Sequence, residues 1–166
     1  MRLVPVQING WTMYAHPLFL DQVEQLVHQV EAARKRDPAG YKSKRAAKFL
    51  SAILKIAFEI LPEDPSRSAY RQGDTLGPQH RHWLRVKFFQ QYRLFFRYRS
   101  GDARMIILAW VNDDKTLRAY GSKTDAYAVF SKMLAAGNPP DNWEALRTLV
   151  MEKEAQQRLA TAFKNL

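Results

Sequence analysis

The side chains of this sequence best suited to chemistry are cations set at alternating positions in two neighbouring apolar runs. In Tyr92-Arg93-Leu94-Phe95-Phe96-Arg97-Tyr98-Arg99, a strand period of two puts Arg93, Phe95, Arg97 and Arg99 on one face and Tyr92, Leu94, Phe96 and Tyr98 on the other. The preceding run divides the same way, with Arg85, Lys87 and Phe89 opposite Val86 and Phe88. Five cations, Arg85, Lys87, Arg93, Arg97 and Arg99, are therefore expected on one side of two adjacent strands. No Asp or Glu in those runs balances them, and like charges opposed across strands are destabilising. A polyanion relieves that repulsion, so the pattern points to nucleic acid, with Phe89 and Phe95 placed to stack on unpaired bases. The same spacing also describes the solvated open face of an antiparallel sheet.

Other constellations are thinner. His80-Arg81-His82 offers metal ligands or a proton donor, but neither a Cys nor a nearby carboxylate cluster stands with it in the sequence, so no metal site is expected. Asp113-Asp114 reads as turn chemistry. No Gly-rich phosphate loop or nucleophile elbow occurs, and the absence of cysteine excludes disulfides, thiolate metal sites, iron–sulfur clusters and thiol nucleophiles together.

The elements that must position the cations follow from periodicity. His16-Pro17 opens a helix whose apolar stripe is Phe19, Val23, Leu26, Val27, Val30 and Ala33, and Asp37-Pro38 stops it. A second helix, from about 41 to 61, turns Phe49, Leu50, Ile53, Ile56 and Ile60 inward and ends at Pro62. Together they make an N-terminal helical hairpin over about 17–61. Loop signals fill 62–80. Three strands, at about 83–89, 92–99 and 104–112, are joined by short turns at Gln90-Gln91 and Ser100-Gly101-Asp102, which implies an antiparallel meander. A further short strand around 116–120 completes a sheet region of about 83–120. Helices are expected again over about 123–160. Ser122 or Thr124 caps the first of them, Gly137 ends it, and Asp141 with Glu144 resembles a capping box for the last. Beyond Glu152 the pattern weakens, which predicts a tail that frays or docks on a partner.

With 166 residues, and no repeat or composition break, a single domain spanning 1–166 of class α+β is expected. There are 26 Lys and Arg against 16 Asp and Glu, a net charge of +10. Residues 1–40 and 141–166 are each neutral, with four charges of either sign, so the whole excess lies in 41–140, where 18 basic residues face 8 acidic ones. That places a basic surface on the folded body instead of in a tail. The longest apolar run, Met105 to Val111, has seven residues, far short of the roughly 20 that span a bilayer. The N-terminus also lacks the charged and apolar regions of a signal peptide. A soluble, intracellular protein without a membrane partner is expected.

Longer ordered strings carry a family resemblance. Asn9-Gly10-Trp11 with Tyr14-Ala15-His16-Pro17, Arg85-Val86-Lys87-Phe88, Tyr92 to Tyr98, Thr116-Leu117-Arg118-Ala119-Tyr120-Gly121, Lys123 to Tyr127 and Phe130-Ser131-Lys132-Met133-Leu134 closely resemble the YhaV family. That family belongs to the RelE-like superfamily of bacterial type II toxin–antitoxin systems. The likeness runs over about 9–143. It implies an mRNA interferase, a ribosome-associated endoribonuclease that halts translation in the bacterial cytoplasm. It also implies a RelE-like fold, a small twisted and mostly antiparallel sheet with helices on one face and the RNA site on the other. The partners it implies are mRNA on the ribosome, a PrlF-like antitoxin of AbrB/MazE type, and operator DNA bound through the antitoxin complex.

The superfamily's chemistry, as the resemblance implies it, uses the RNA's own 2′-OH as nucleophile on the adjacent phosphate and needs no metal or other cofactor. The protein then supplies a base, an acid and positive charge. Lys87 lies in the strand that carries basic catalytic residues in RelE-like toxins and is the candidate base; crowding by Arg85, Arg93 and Arg97 is expected to lower its pKa. Arg93 matches the arginine that clamps the scissile phosphate, and Arg97 lies on the same face. Arg118, Tyr120 and Lys123 fall where these toxins place another arginine and a Tyr or His acid. Phe130 stands at the position of a helix tyrosine and cannot transfer a proton, so Tyr120, His80 and His82 are the candidate acids. The expected catalytic set is thus Lys87, Arg93, Arg97, Arg118 and Tyr120, with Arg85, Arg99, Lys123 and His82 on the RNA phosphates. A non-catalytic nucleic-acid-binding subunit of a repressor complex is the alternative.

Overall fold

The computed structural model describes residues 4–101 and 103–164. Asn9-Gly10, with left-handed φ of 51° and 81°, forms the two-residue turn in which both central residues need positive φ. It joins β1 (Gln7–Ile8) to β2 (Trp11–Ala15). The chain then enters α1 (Pro17–Arg36), capped by His16, whose Nδ1 accepts from the Leu18 amide at 3.0 Å. A turn at Tyr41–Ser43 leads to α2 (Arg45–Lys55), which widens into a π turn at Ile56–Ile60 and closes as a tight turn at Leu61–Glu63 around Pro62. The meander is β3 (Leu84–Phe88), β4 (Tyr92–Arg99) and β5 (Met105–Val111). Three helices follow: α3 (Ala126–Ala135), α4 (Trp143–Val150) and α5 (Lys153–Phe163).

The five strands form one sheet in the order β1-β2-β5-β4-β3. All neighbours are antiparallel except β2 and β5. The architecture is therefore α+β with a mostly antiparallel sheet. The β1–β2 hairpin is not expected from alternation, because two residues of β1 are too few to display it. The strand expected at 116–120 does not form. Those residues turn instead, with the Thr116 amide donating to the Asp113 carbonyl and the Arg118 amide to that of Gln91. The turn between β3 and β4 centres on Phe89 and Gln90, both at positive φ. Asp102, in the second expected turn, lies outside the described residues.

Both faces of the sheet are covered. On one, Leu84, Val86, Leu94, Phe96, Ile106 and Leu108 meet the buried stripes of α1, α2 and α5. On the other, Trp83, Phe95, Ile107, Ala109 and Trp110 pack against Tyr127, Phe130 and Leu134 of α3 and Trp143, Leu146 and Val150 of α4. This corrects the expectation of helices on one face and an open second face. The reason lies in β5, whose Met105, Ile107 and Ala109 face the same way as the cations and carry no charge. Phe95 is accordingly no base-stacking platform: it is 0% exposed and stacked 4.2 Å from Phe130. Two caps also differ. Asp125 accepts from the Tyr127 amide, so neither Ser122 nor Thr124 caps α3. Asn142 caps α4, which leaves Asp141 for other contacts. The tail docks on its own chain, since Ala155, Leu159 and Ala162 of α5 are buried and Arg158 reaches Asp21 and Glu24 of α1. Among the described residues, no helix is long and apolar enough to cross a membrane.

Candidate active site

The register of β3 and β4 sets Lys87 directly opposite Arg93, and Arg85 opposite Phe95, so strand parity gathers Arg85, Lys87, Arg93 and Arg97 on one face as expected. What organises Arg85 and Arg93 is Tyr127, in the first turn of α3. Its hydroxyl accepts from Arg85 Nε at 2.9 Å and from Arg93 Nε at 3.1 Å. Two lone pairs are then occupied, which leaves the phenolic proton as a donor for a third group. Arg85 Nη1 donates to the Ala69 carbonyl at 2.7 Å, and Arg93 Nη1 to the carbonyls of Gln90 and Tyr92 at 2.8 and 2.9 Å. The left-handed backbone at Phe89 and Gln90 is thus also what turns the Gln90 carbonyl toward Arg93. Both guanidiniums belong to nearly buried residues, yet their Nη2 groups have no hydrogen bond to the described residues and are not buried orphans, so they reach solvent. Rigid Nη2 donors on a solvated edge suit an anionic oxygen.

A third guanidinium closes the group. Arg118 lies 4.8 Å from the Tyr127 ring centroid and 5.6 Å from that of Tyr120, and its Nη1 donates to Asp125 Oδ1 at 2.6 Å. Burial raises the Asp125 pKa, but the hydrogen bonds from Arg118 and from the amides of Ala119 and Tyr127 outweigh it and hold the carboxyl below the usual range. Asp125 therefore stays ionised, caps α3 and fixes Arg118 beside Tyr127. Tyr120 is 94% exposed at the rim, and Lys87 and Lys123 are exposed.

The remaining expected residues gather elsewhere. Arg97 is nearly buried between indoles, its guanidinium 5.3 Å from the Trp83 centroid and 5.1 Å from that of Trp143, and Nη1 donates to the Asp141 carbonyl at 2.8 Å. Burial pushes its pKa down to about 10, with Asp141 opposing the change, so it remains charged at neutral pH. Arg99 stacks on Trp143 at 4.3 Å. His82 Nε2 and His80 Nδ1 both meet Asp141 Oδ1, at 2.7 and 3.0 Å, as does the indole N–H of Trp83 at 2.8 Å. Burial raises the Asp141 pKa, but those hydrogen bonds bring it below the ordinary carboxylate value. A carboxylate thus does stand beside His80 and His82, contrary to the expectation from sequence distance.

The structure therefore joins Arg85 and Arg93 at the Tyr127 hydroxyl and Arg118 over the Tyr127 ring, with Lys87 across the strand pair and Tyr120 at the rim. Arg97, Arg99, His80 and His82 form a separate group at the other end of β3. Phe130 is core, sandwiched by Phe95 and Trp110. Tyr127 is the residue that sequence reasoning misses: it lies three positions before Phe130, one helical turn away and on the same helix face.

Residues 13–151 match the family described as a toxin with endonuclease activity, of a toxin–antitoxin system. The chain is 49% identical over 144 residues to Toxin YhaV of Escherichia coli O6:H1, covering 86% of this chain and 93% of that protein. It has the same identity and coverage with Ribonuclease toxin YhaV of Escherichia coli K12. No solved structure matches. The match over residues 13–151 takes in Arg85, Arg93, Arg118 and Tyr127, and with it the chain belongs to the YhaV family of endonuclease toxins.

Proposed function

We propose that this chain is a single RelE-like toxin domain, a ribosome-associated endoribonuclease that cleaves mRNA and is neutralised by a PrlF-like antitoxin, with which it represses its own operon in the bacterial cytoplasm. The observation that carries the reading is the convergence of Arg85, Arg93 and Arg118 on Tyr127 beside exposed Lys87. Arg118 is paired with Asp125, but Arg85 and Arg93 have no carboxylate partner among the described residues; two such cations on one hydroxyl suit a phosphate, and the name of the K12 relative makes RNA the substrate to expect.

In the proposed reaction the ribose 2′-OH attacks the adjacent phosphorus while the bond from phosphorus to the 5′ oxygen breaks. The products are a 2′,3′-cyclic phosphate and a 5′-OH. Lys87 takes the 2′ proton. Tyr120 gives one to the leaving 5′ oxygen. The open Nη2 groups of Arg85 and Arg93 bind the non-bridging oxygens, where negative charge grows in the transition state. Tyr127 is a positioning residue, since it holds both guanidiniums by their Nε. Arg99 and Lys123, both exposed, serve as flanking cations for the RNA backbone.

Purified protein added to a translation reaction tests this. Wild type is expected to stop synthesis and cut the translated mRNA, whereas Arg93→Ala, with its circular dichroism unchanged, is expected to do neither. RNA binding without cleavage by wild type, on ribosomes or on free RNA, would point to a non-catalytic nucleic-acid-binding subunit instead.

A further inference from the structure

We infer that His80, His82 and Asp141 form a binding site for one divalent transition-metal ion of the zinc class. One ligand atom from each residue lies within 4.8 Å of the others. Asp141 Oδ1 is already 3.0 Å from His80 Nδ1 and 2.7 Å from His82 Nε2. A tetrahedral ion with bonds of about 2.0–2.1 Å needs donor atoms about 3.3 Å apart, so small side-chain rotations suffice. Two imidazoles and one carboxylate with a fourth position for water make a donor set that zinc, cobalt or nickel accepts. Magnesium and calcium prefer all-oxygen shells.

The surroundings are those of a supported site. The Trp83 indole N–H donates to Asp141 Oδ1 at 2.8 Å, and Arg97 holds the Asp141 carbonyl at 2.8 Å, so the carboxylate is oriented by groups outside the ligand set. The side chains of His82 and Asp141 are 38% and 37% exposed, which gives an ion access from solvent. The cations nearby are occupied. Arg81 is paired with Asp74 through two hydrogen bonds of 2.6 and 3.0 Å, and Arg97 lies against the Trp83 and Trp143 rings. The three ligands come from two segments far apart in sequence, the loop before β3 and the connection between α3 and α4. An ion would lock that connection over the sheet face. Trp83 and Lys87 are four residues apart along an extended chain, about 13 Å, so the ion acts on the fold and not on the proposed cleavage.

The full chain, stripped with a chelator and then titrated with Zn2+ by calorimetry and with Co2+ by visible absorption, is the test. One equivalent is expected to bind, with the intense visible bands of tetrahedral cobalt. At a hundredfold excess of Zn2+ over its Kd, the thermal midpoint should rise by roughly 5–10 °C. The double variant His80→Ala, His82→Ala and the milder Asp141→Asn are expected to lose the cobalt bands and the thermal shift, whereas His28→Ala keeps both. Absence of stoichiometric binding to wild type, or binding that survives in the double variant, would overturn the site. Metal binding and RNA cleavage are read by separate assays, so either can fail without the other.

Discussion

At the scale of single residues, Tyr127 carries more of the arrangement than any cation it holds. Tyr127→Phe keeps the ring against Phe95 and removes only the acceptor shared by Arg85 and Arg93. The Nε groups of two nearly buried guanidiniums then lose their acceptor, and urea unfolding is expected to register a loss of about 1–3 kcal/mol. Cleavage is expected to fall on the order of 10²-fold, because misplaced phosphate donors are as damaging as missing ones. His16 makes a second prediction, on pH. Burial is the main cause that lowers its pKa from 6.5 to about 4, against the pull of Asp21. The unfolded chain therefore binds more protons between pH 6.5 and 4. Stability is expected to be full above about pH 6.5 and to drop by up to about 3 kcal/mol as pH falls to 4. His16→Asn, which keeps a side-chain acceptor for the Leu18 amide, should flatten that fall in denaturation midpoints measured across the range.

At the scale of elements, α5 fastens the end of the chain to the first helix. Its Leu159 is 1% exposed against the α1 side of the core, so Leu159→Ala is expected to destabilise by about 2–5 kcal/mol in chemical denaturation. Arg158→Ala, which removes partly exposed ion pairs to Asp21 and Glu24, should change stability by under about 1 kcal/mol. Much of this level is legible in the sequence. The stripe from Phe19 to Ala33, the alternation in β4 and the stop at Gly137 each belong to one element, and each has a local cause. Gly137, at φ 81°, takes the left-handed conformation that ends α3, with the Asn138 amide donating to the Met133 carbonyl at 3.0 Å. Parity likewise puts Arg85, Lys87 and Arg93 together, because a strand's faces follow from its period alone. What covers a face does not. Tyr127 is 34 residues from Arg93 and Asp141 is 59 from His82, and no local pattern encodes those meetings. The Asn9-Gly10 turn is written in the sequence, but the strand before it is too short to announce itself.

At the scale of the whole molecule, the net charge of +10 is concentrated between two neutral ends. Pairs such as Arg81 with Asp74 and Arg118 with Asp125 remove some cations from use, so the free excess lies with side chains such as Lys87 and Lys123. RNA binding should weaken steeply with salt, and removing one cation from the phosphates should lower the logarithmic slope by about 0.7. Lys87→Ala is expected to show that change in binding measured across a salt series, where a residue outside the RNA path leaves the slope unaltered.

In the proposed reaction the phosphodiester bond is broken at the Arg85, Arg93 and Tyr127 cluster, with Lys87. Mapping the chemistry of cut ends on mRNA from translating ribosomes tests it most directly, with wild type beside folded Lys87→Ala and Arg93→Ala. The expected result is 2′,3′-cyclic phosphate and 5′-OH ends with wild type, and their loss in both variants. Ends bearing 3′-OH and 5′-phosphate, or undiminished cutting by both variants, would contradict it.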